Sequence, residues 1–125
     1  MVAWSYAYES CDPSAVIGFD GTVLARITWH AEGAEDARVV VDGDIDRDTA
    51  PLLSDQLLAA LEHRRVVRCD LSKTGFLGAA GVGALVRAQV AAAGSGRKLL
   101  LTGVGQAVDY VLCRCGVLGV LAVER

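Results

Sequence analysis

The stretch Ser72-Lys73-Thr74-Gly75-Phe76-Leu77-Gly78-Ala79-Ala80-Gly81-Val82-Gly83-Ala84-Leu85 joins an apolar strand pattern to a helical pattern. The turn between the two patterns is built from the smallest side chains, which let another surface approach the backbone closely. In α/β proteins such strand–loop–helix junctions often hold ligands and partners, because the free amides of a helix N-terminus point outwards there. We therefore expect the working surface of the chain at this junction.

Outward from this stretch, strand and helix patterns alternate. Strands are predicted at Thr22–His30, Arg38–Val41, Val66–Leu71, Lys98–Thr102 and Val117–Val123. Apolar stripes with helical spacing run over Ala50–Leu61, Val82–Ala93 and Val104–Cys115. The first helix can be capped by Asp48 or Thr49. The order β-β-α-β-α-β-α-β predicts an α/β fold with a mostly parallel mixed sheet packed with helices.

Three loops are expected at one edge of this sheet. Right-handed crossovers place the connections after the second, third and fourth strands on the same side. These connections are Asp44–Thr49, Thr74–Gly81 and Gly103–Gln106. The sequence therefore predicts that the central junction has two neighbouring loops.

Size and hydropathy predict a single domain. The chain has 125 residues, of which 53% are hydrophobic, and its mean hydropathy is +0.39. We assign residues 1–21 to an N-terminal extension and residues 22–125 to the domain. The uncharged run Gly75–Val86 is shorter than the roughly 17 residues that span a bilayer. With no secretory signal visible, the chain is expected to be cytoplasmic, with no membrane contact.

The charge pattern argues against several classes of function. The net charge is −3 and no basic block is present, so nucleic-acid binding is not expected. The alternating aspartates from Asp42 to Asp48 lack the glutamate that ends a calcium loop, so no metal is expected. The pair Gly103 and Gly105 lacks the third glycine of a dinucleotide fingerprint, and no cofactor is predicted. His30 and His63 have no nucleophile partner by sequence, which argues against an enzyme.

The cysteines suggest at most a redox role. Cys115 belongs to the apolar stripe of the third helix and Cys69 lies near the end of a strand, so both are predicted to be buried. Cys113 lies off the stripe beside Arg114, whose charge favours a thiolate. An oxidised Cys11–Cys113 pair is the disulfide that would disturb packing least, although an unreactive surface Cys113 is the simpler expectation.

Three motifs in order resemble the STAS domain. They are Gly43-Asp44-Ile45-Asp46 before the first helix, Cys69-Asp70-Leu71-Ser72 at the end of the third strand, and Phe76-Leu77-Gly78-Ala79-Ala80-Gly81-Val82 after it. Within that family the chain looks most like the bacterial anti-sigma factor antagonists, over roughly residue 22 to the C-terminus. In that family the loop usually reads Asp-Ser-Ser-Gly, and an anti-sigma factor kinase phosphorylates its second serine. Here Ala80 stands at the phosphoserine position and lacks an acceptor hydroxyl, and Ser72 and Thr74 are the nearest acceptors.

The resemblance implies a non-catalytic regulator that binds an anti-sigma factor of the ATP-binding, kinase-like class and frees a sigma factor. The partner-binding residues it implies are Asp44, Asp46, Thr49, Thr74, Gly78, Ala79, Ala80 and Gly81. Two alternatives stay open. One is a STAS subunit of another assembly, such as a lipid-transport ATPase or a stressosome-like complex. The other is a small-ligand or nucleotide sensor that uses the N-terminus of the second helix.

Overall fold

A computed structural model describes residues 15–17 and 23–124, and it shows one six-stranded sheet with three helices. The strands are β1 (Ala15–Ile17), β2 (Val23–Ala31), β3 (Asp36–Gly43), β4 (Val66–Lys73), β5 (Lys98–Thr102) and β6 (Ala122–Val123). The helices are α1 (Ala50–His63), α2 (Ala79–Gly94) and α3 (Gln106–Arg114). The strand order in the sheet is β1-β2-β3-β4-β5-β6. From β2 onward the element order is the predicted one, and the α/β fold class is confirmed.

β1 adds one strand to those predicted. It pairs antiparallel with β2, with Ala15 opposite Arg26. It lies in the stretch assigned from sequence to an N-terminal extension. Three residues are too few to show an alternating pattern, which explains why no strand was predicted there.

The helices cover one face of the sheet. β3 to β6 pair in parallel and in chain order, so right-handed crossovers carry α1, α2 and α3 over the same side. Along β3, Ala37, Val39 and Val41 are fully buried, whereas the residues between them are only half-buried. β4 alternates in the same way. Burial alternates along both strands because the helices cover only one face of the sheet.

Ion pairs between strands cross this open face. Arg38 on β3 contacts Glu32 at 2.7 Å and Asp70 of β4 at 3.5 Å. Arg68 on β4 contacts Asp36 of β3 and Glu124, each at 3.4 Å. Since Arg38 and Arg68 are register partners on adjacent strands, these carboxylates offset the repulsion between two neighbouring guanidinium groups.

The C-terminal part of the chain is less regular than predicted. The strand predicted at Val117–Val123 is only Ala122–Val123, because a turn closed by the Leu121 N–H donating to the Val117 carbonyl comes first. The prediction that Cys115 is buried is wrong. α3 ends at Arg114, and Gly116 takes a φ of 71°, so the Cys115 side chain lies beyond the helix and is exposed.

No helix in the described ranges is both long and apolar enough to cross a membrane.

Cys69 is buried, as predicted, and Cys113 and Cys115 are exposed. Burial, helped by the nearby Asp70 charge, raises the pKa of the Cys69 thiol to about 12. Cys69 is therefore a core residue with almost no thiolate at neutral pH.

The difference in burial between Cys69 and the two exposed cysteines gives a direct test of the fold. Iodoacetamide at neutral pH should alkylate Cys113 and Cys115 in the native protein and leave Cys69 unmodified, because the reactive species is the thiolate. Peptide mapping by mass spectrometry measures each site. The same reaction in denaturant should modify all three, and native labelling of Cys69 at the rate of Cys113 would contradict the buried position of β4.

Candidate partner-binding site

The loop before α1 and the loop before α2 are joined through their backbones. Ile45 and Leu77 form a parallel bridge outside the main strands. The Ile45 N–H donates to the Phe76 carbonyl at 2.9 Å, and the Gly78 N–H donates to the Ile45 carbonyl at 2.7 Å. The predicted proximity of residues 44–49 and 74–81 is confirmed. In the third predicted loop, Gly103 packs against Ser72 and Asp70 of β4.

Gly81 makes this bridge possible. A Cβ at this position would lie 2.5 Å from Leu77 Cδ1 and 2.6 Å from Ile45 Cγ2. Real Cβ atoms do not approach other atoms so closely, so α2 can pack under the bridge only with glycine here. Both Ile45 and Leu77 are buried, and Gly81 is therefore an internal contact of the site rather than part of its outer surface.

Two predicted contact residues, Thr49 and Thr74, are buried inside the fold. The Thr49 hydroxyl donates to the Asp44 carbonyl at 3.0 Å and accepts the Asp46 N–H at 2.8 Å. The Thr74 hydroxyl donates to the Val41 carbonyl at 3.2 Å. Of the two caps predicted for α1, Asp48 or Thr49, it is Thr49 that stands at the N-cap position, but its side chain makes no capping hydrogen bond. Pro51 lies in the first turn. Both threonines hold the loops in shape, and neither hydroxyl faces solvent.

The remaining predicted residues form the outer surface. Asp44, Asp46 and Ala79 are exposed, whereas Gly78 and Ala80 are half-buried. The Asp46 carboxylate accepts the Asp48 N–H at 2.9 Å, which fixes the acidic loop. Together these residues present a small, uncharged helix start beside exposed carboxylates.

A groove of about 440 Å³ runs from this helix start between α1 and α2. The polar residues of its first wall are Arg47, Ser54 and Asp55. Ala79, Ala80 and Arg87 contribute to the second wall. The groove thus begins at the residues predicted from sequence and continues along charged side chains that were not predicted.

The sequence contains a partial signal for these missed residues. Arg87 lies four residues after Gly83 and eight after Ala79, which is the spacing of one helix face. Arg47 has no such signal, because its position depends on how the loop before α1 folds. Phe76, whose side chain is 52% exposed beside the bridge, was also missed as a surface residue.

No hydroxyl group lies at the start of α2. The segment from Gly75 to Gly94 contains no serine, threonine or tyrosine. The nearest exposed hydroxyl, that of Ser72, donates to the Asp70 carboxylate at 2.7 Å. Partial burial raises the pKa of the Asp70 carboxyl, but hydrogen bonds from Ser72 and the charge of Arg38 outweigh it and hold that pKa below its usual value. Asp70 therefore stays ionised and keeps the Ser72 hydroxyl engaged.

The remaining chemistry predicted from sequence is sparse. Within the described residues no group of three or more potential ligands is placed to hold a metal ion. Cys113 is exposed, but Cys11 lies outside the described residues, so the disulfide stays a prediction. The Arg114 guanidinium lies 6.0 Å from the centre of the Tyr110 ring.

The family follows from a comparison with known sequences. Residues 30–122 match the family model described as "Mlab, STAS domain". The chain belongs to the STAS domain family. The predicted resemblance is thereby confirmed at the level of the family, and no curated protein sequence matches the chain significantly.

Solved structures show the same STAS fold. An anti-sigma factor antagonist from Mycobacterium paratuberculosis is 20% identical, with a TM-score of 0.68 over 87% of this chain and 90% of that one. The phosphorylated form of the Bacillus cell fate determinant SpoIIAA is 11% identical, with a TM-score of 0.62 over 79% and 91%. A sulfate transporter family protein from Wolinella succinogenes is 21% identical, with a TM-score of 0.53 over 90% and 86%. At these identities the likeness establishes the fold.

The bridge over Gly81 can be tested with two glycines of the same helix. Gly81→Ala should destabilise the protein by about 1–3 kcal/mol, because the added methyl group overlaps Leu77 and Ile45. In Gly83→Ala the new Cβ would meet only the flexible end of Arg87, at 3.2 Å. That control should be neutral or stabilising by up to about 1 kcal/mol, since alanine favours helix. Urea unfolding measures both, and equal effects would contradict the packing described.

Proposed function

We propose that this STAS domain is a non-catalytic regulator that binds an anti-sigma factor of the ATP-binding, kinase-like class and so releases a sigma factor. The observation that carries the proposal is the exposed, uncharged start of α2 held beside an acidic loop. Two of the motifs that resemble the STAS domain, Gly43-Asp44-Ile45-Asp46 and the loop Phe76–Val82, lie at this surface. Structures with the same fold include such antagonists.

In this proposal the partner contacts the exposed residues directly. Asp44 and Asp46 offer carboxylates, and Gly78, Ala79 and Ala80 let the partner approach the backbone of the helix start. Thr49, Thr74 and Gly81 act from inside by fixing the two loops. A surface of small residues can still be specific in this arrangement, because buried residues set the shape of the loops that contact the partner.

The proposed regulator is not switched by phosphorylation of the loop. A phosphate would add about −1.5 to −2 charges at this surface and repel a partner that fits the neutral form. Ala80 has no hydroxyl to accept one, so the surface stays permanently in the small, neutral form. The domain would bind whenever its partner is present, and control would lie elsewhere.

A charge placed at the helix start tests the contact surface. Ala80→Asp should weaken binding about tenfold or more, because the carboxylate must be desolvated on docking. The fold should survive, since a carboxylate in the first turn of a helix is favourable. Isothermal titration against each purified kinase-like anti-sigma factor of the same genome measures the affinity. Val90→Asp adds the same charge at an exposed site on α2 outside the described groove and should bind normally. Unchanged affinity in folded Ala80→Asp would refute the assignment.

The absence of the switch has its own test. Incubation with the anti-sigma factor and ATP should add no phosphate to the loop before α2, because the Thr74 hydroxyl is buried and that of Ser72 is bonded to Asp70. Intact-mass and peptide mass spectrometry give the answer. As a control, Ala80→Ser restores a hydroxyl at the helix start and should become a substrate. Stoichiometric phosphate on Ser72 or Thr74 would mean that the switch has moved.

A STAS subunit of another assembly is the second candidate function. It is favoured by the matching family model, which carries the name Mlab, and by the structural similarity to a sulfate transporter family protein. Affinity purification followed by mass spectrometry distinguishes the two. Enrichment of a kinase-like anti-sigma factor supports the first function, and enrichment of a transporter ATPase supports the second.

A further inference from the structure

Two arginines without a partner lie in the groove between α1 and α2. Among residues 15–17 and 23–124, Arg47 and Arg87 are the arginines with no hydrogen bond, ion pair or ring contact. The arginines that do have such an interaction are Arg26, Arg38, Arg64, Arg65, Arg68, Arg97 and Arg114. Arg47 and Arg87 line the same groove, one on each wall.

The groove leaves both guanidinium groups available. Arg87 lies back over Gly83, since a Cβ on that glycine would be 3.2 Å from Arg87 Nη1. This brings the guanidinium towards the first turn of α2. The Asp55 carboxylate lines the groove as well, but in the described part of the chain it forms no ion pair with either arginine. The groove therefore carries two positive charges that no side chain in the described ranges neutralises within contact distance.

We propose that this groove binds an acidic side chain of the partner protein between Arg47 and Arg87. The inference deepens the proposed function and rests on it for the identity of the partner. A carboxylate matches the planar donors of two guanidinium groups. Docking would place the partner's acidic residue over Ala79 and Ala80. The exposed aspartates of the neighbouring loop would then face basic residues of the partner on either side of that acidic residue. The partner surface would thus be an acidic residue flanked by basic ones.

The groove can be probed without the partner. The ¹⁵N-labelled full-length protein is titrated, in phosphate-free buffer at constant ionic strength, with acetyl-Glu-Glu-Glu-amide and acetyl-Lys-Lys-Lys-amide. The acidic peptide should shift the amide signals of Ala79, Ala80 and Gly83 and the side-chain Nε–H signals of Arg47 and Arg87. The basic peptide should leave them in place.

Variants identify the groups responsible. Arg47→Gln and Arg87→Gln should each weaken the acidic peptide about two- to fivefold, the range of an exposed ion pair. Arg87→Lys keeps the charge but loses the planar pair of donors, so its affinity should lie between those of the wild type and Arg87→Gln. Arg65→Gln removes the same charge from the connection between α1 and β4, where Arg65 pairs with Glu35, and should bind as the wild type does. An equal loss in Arg65→Gln, or equal shifts from the basic peptide, would overturn the proposal.

A third titration tests whether the groove binds inorganic phosphate instead. If inorganic phosphate shifts the same signals and binds with higher affinity than the acidic peptide, the groove is a phosphate site and the proposal fails. The anti-sigma titration then separates the two levels of inference. Normal affinity of Arg47→Gln and Arg87→Gln for an anti-sigma factor would refute the groove contact and leave the proposed function intact. Acidic-peptide binding with no anti-sigma binding would refute the function.

Discussion

The backbone bridge between Ile45 and Leu77 is the contact on which the surface of this STAS domain depends. It ties the loop after β3 to the loop after β4 through two hydrogen bonds, and α2 packs directly beneath it. Gly81 is the residue that permits this approach. Because the bridge joins consecutive crossovers, the position of α2 and the shape of the acidic loop are fixed together.

Much of the fold could be predicted because its elements carry strong periodic patterns. β2 to β5 and the three helices were visible as apolar runs and stripes, and loop convergence followed from the handedness of the crossovers. β1 could not be predicted, since its three residues are held by pairing with β2 rather than by a pattern of their own. The burial of Cys115 was misjudged because the stripe continues for one residue after the helix has ended.

The site was predictable as a location but not as a surface. Family motifs pointed to the residues around the helix start, yet which of them face solvent is decided by tertiary hydrogen bonds. Thr49 and Thr74 are buried, and their hydroxyl groups are satisfied there by the backbone carbonyls of Asp44 and Val41. The position of Arg47 depends on the conformation of a loop, for which single-sequence patterns carry little information. Helical spacing pointed weakly to Arg87, and only the structure shows that its side chain lines the groove.

The strands at the two margins of the sheet are very short, with three residues in β1 and two in β6. A long, flat margin with free amides and carbonyls invites a strand from another molecule to add to the sheet. The valine-rich strands β3 and β4 would be hazardous in that position, and here each of them has a paired strand on both sides. The order of strands therefore keeps β3 and β4 away from the edges of the sheet, where they could pair with a strand of another molecule.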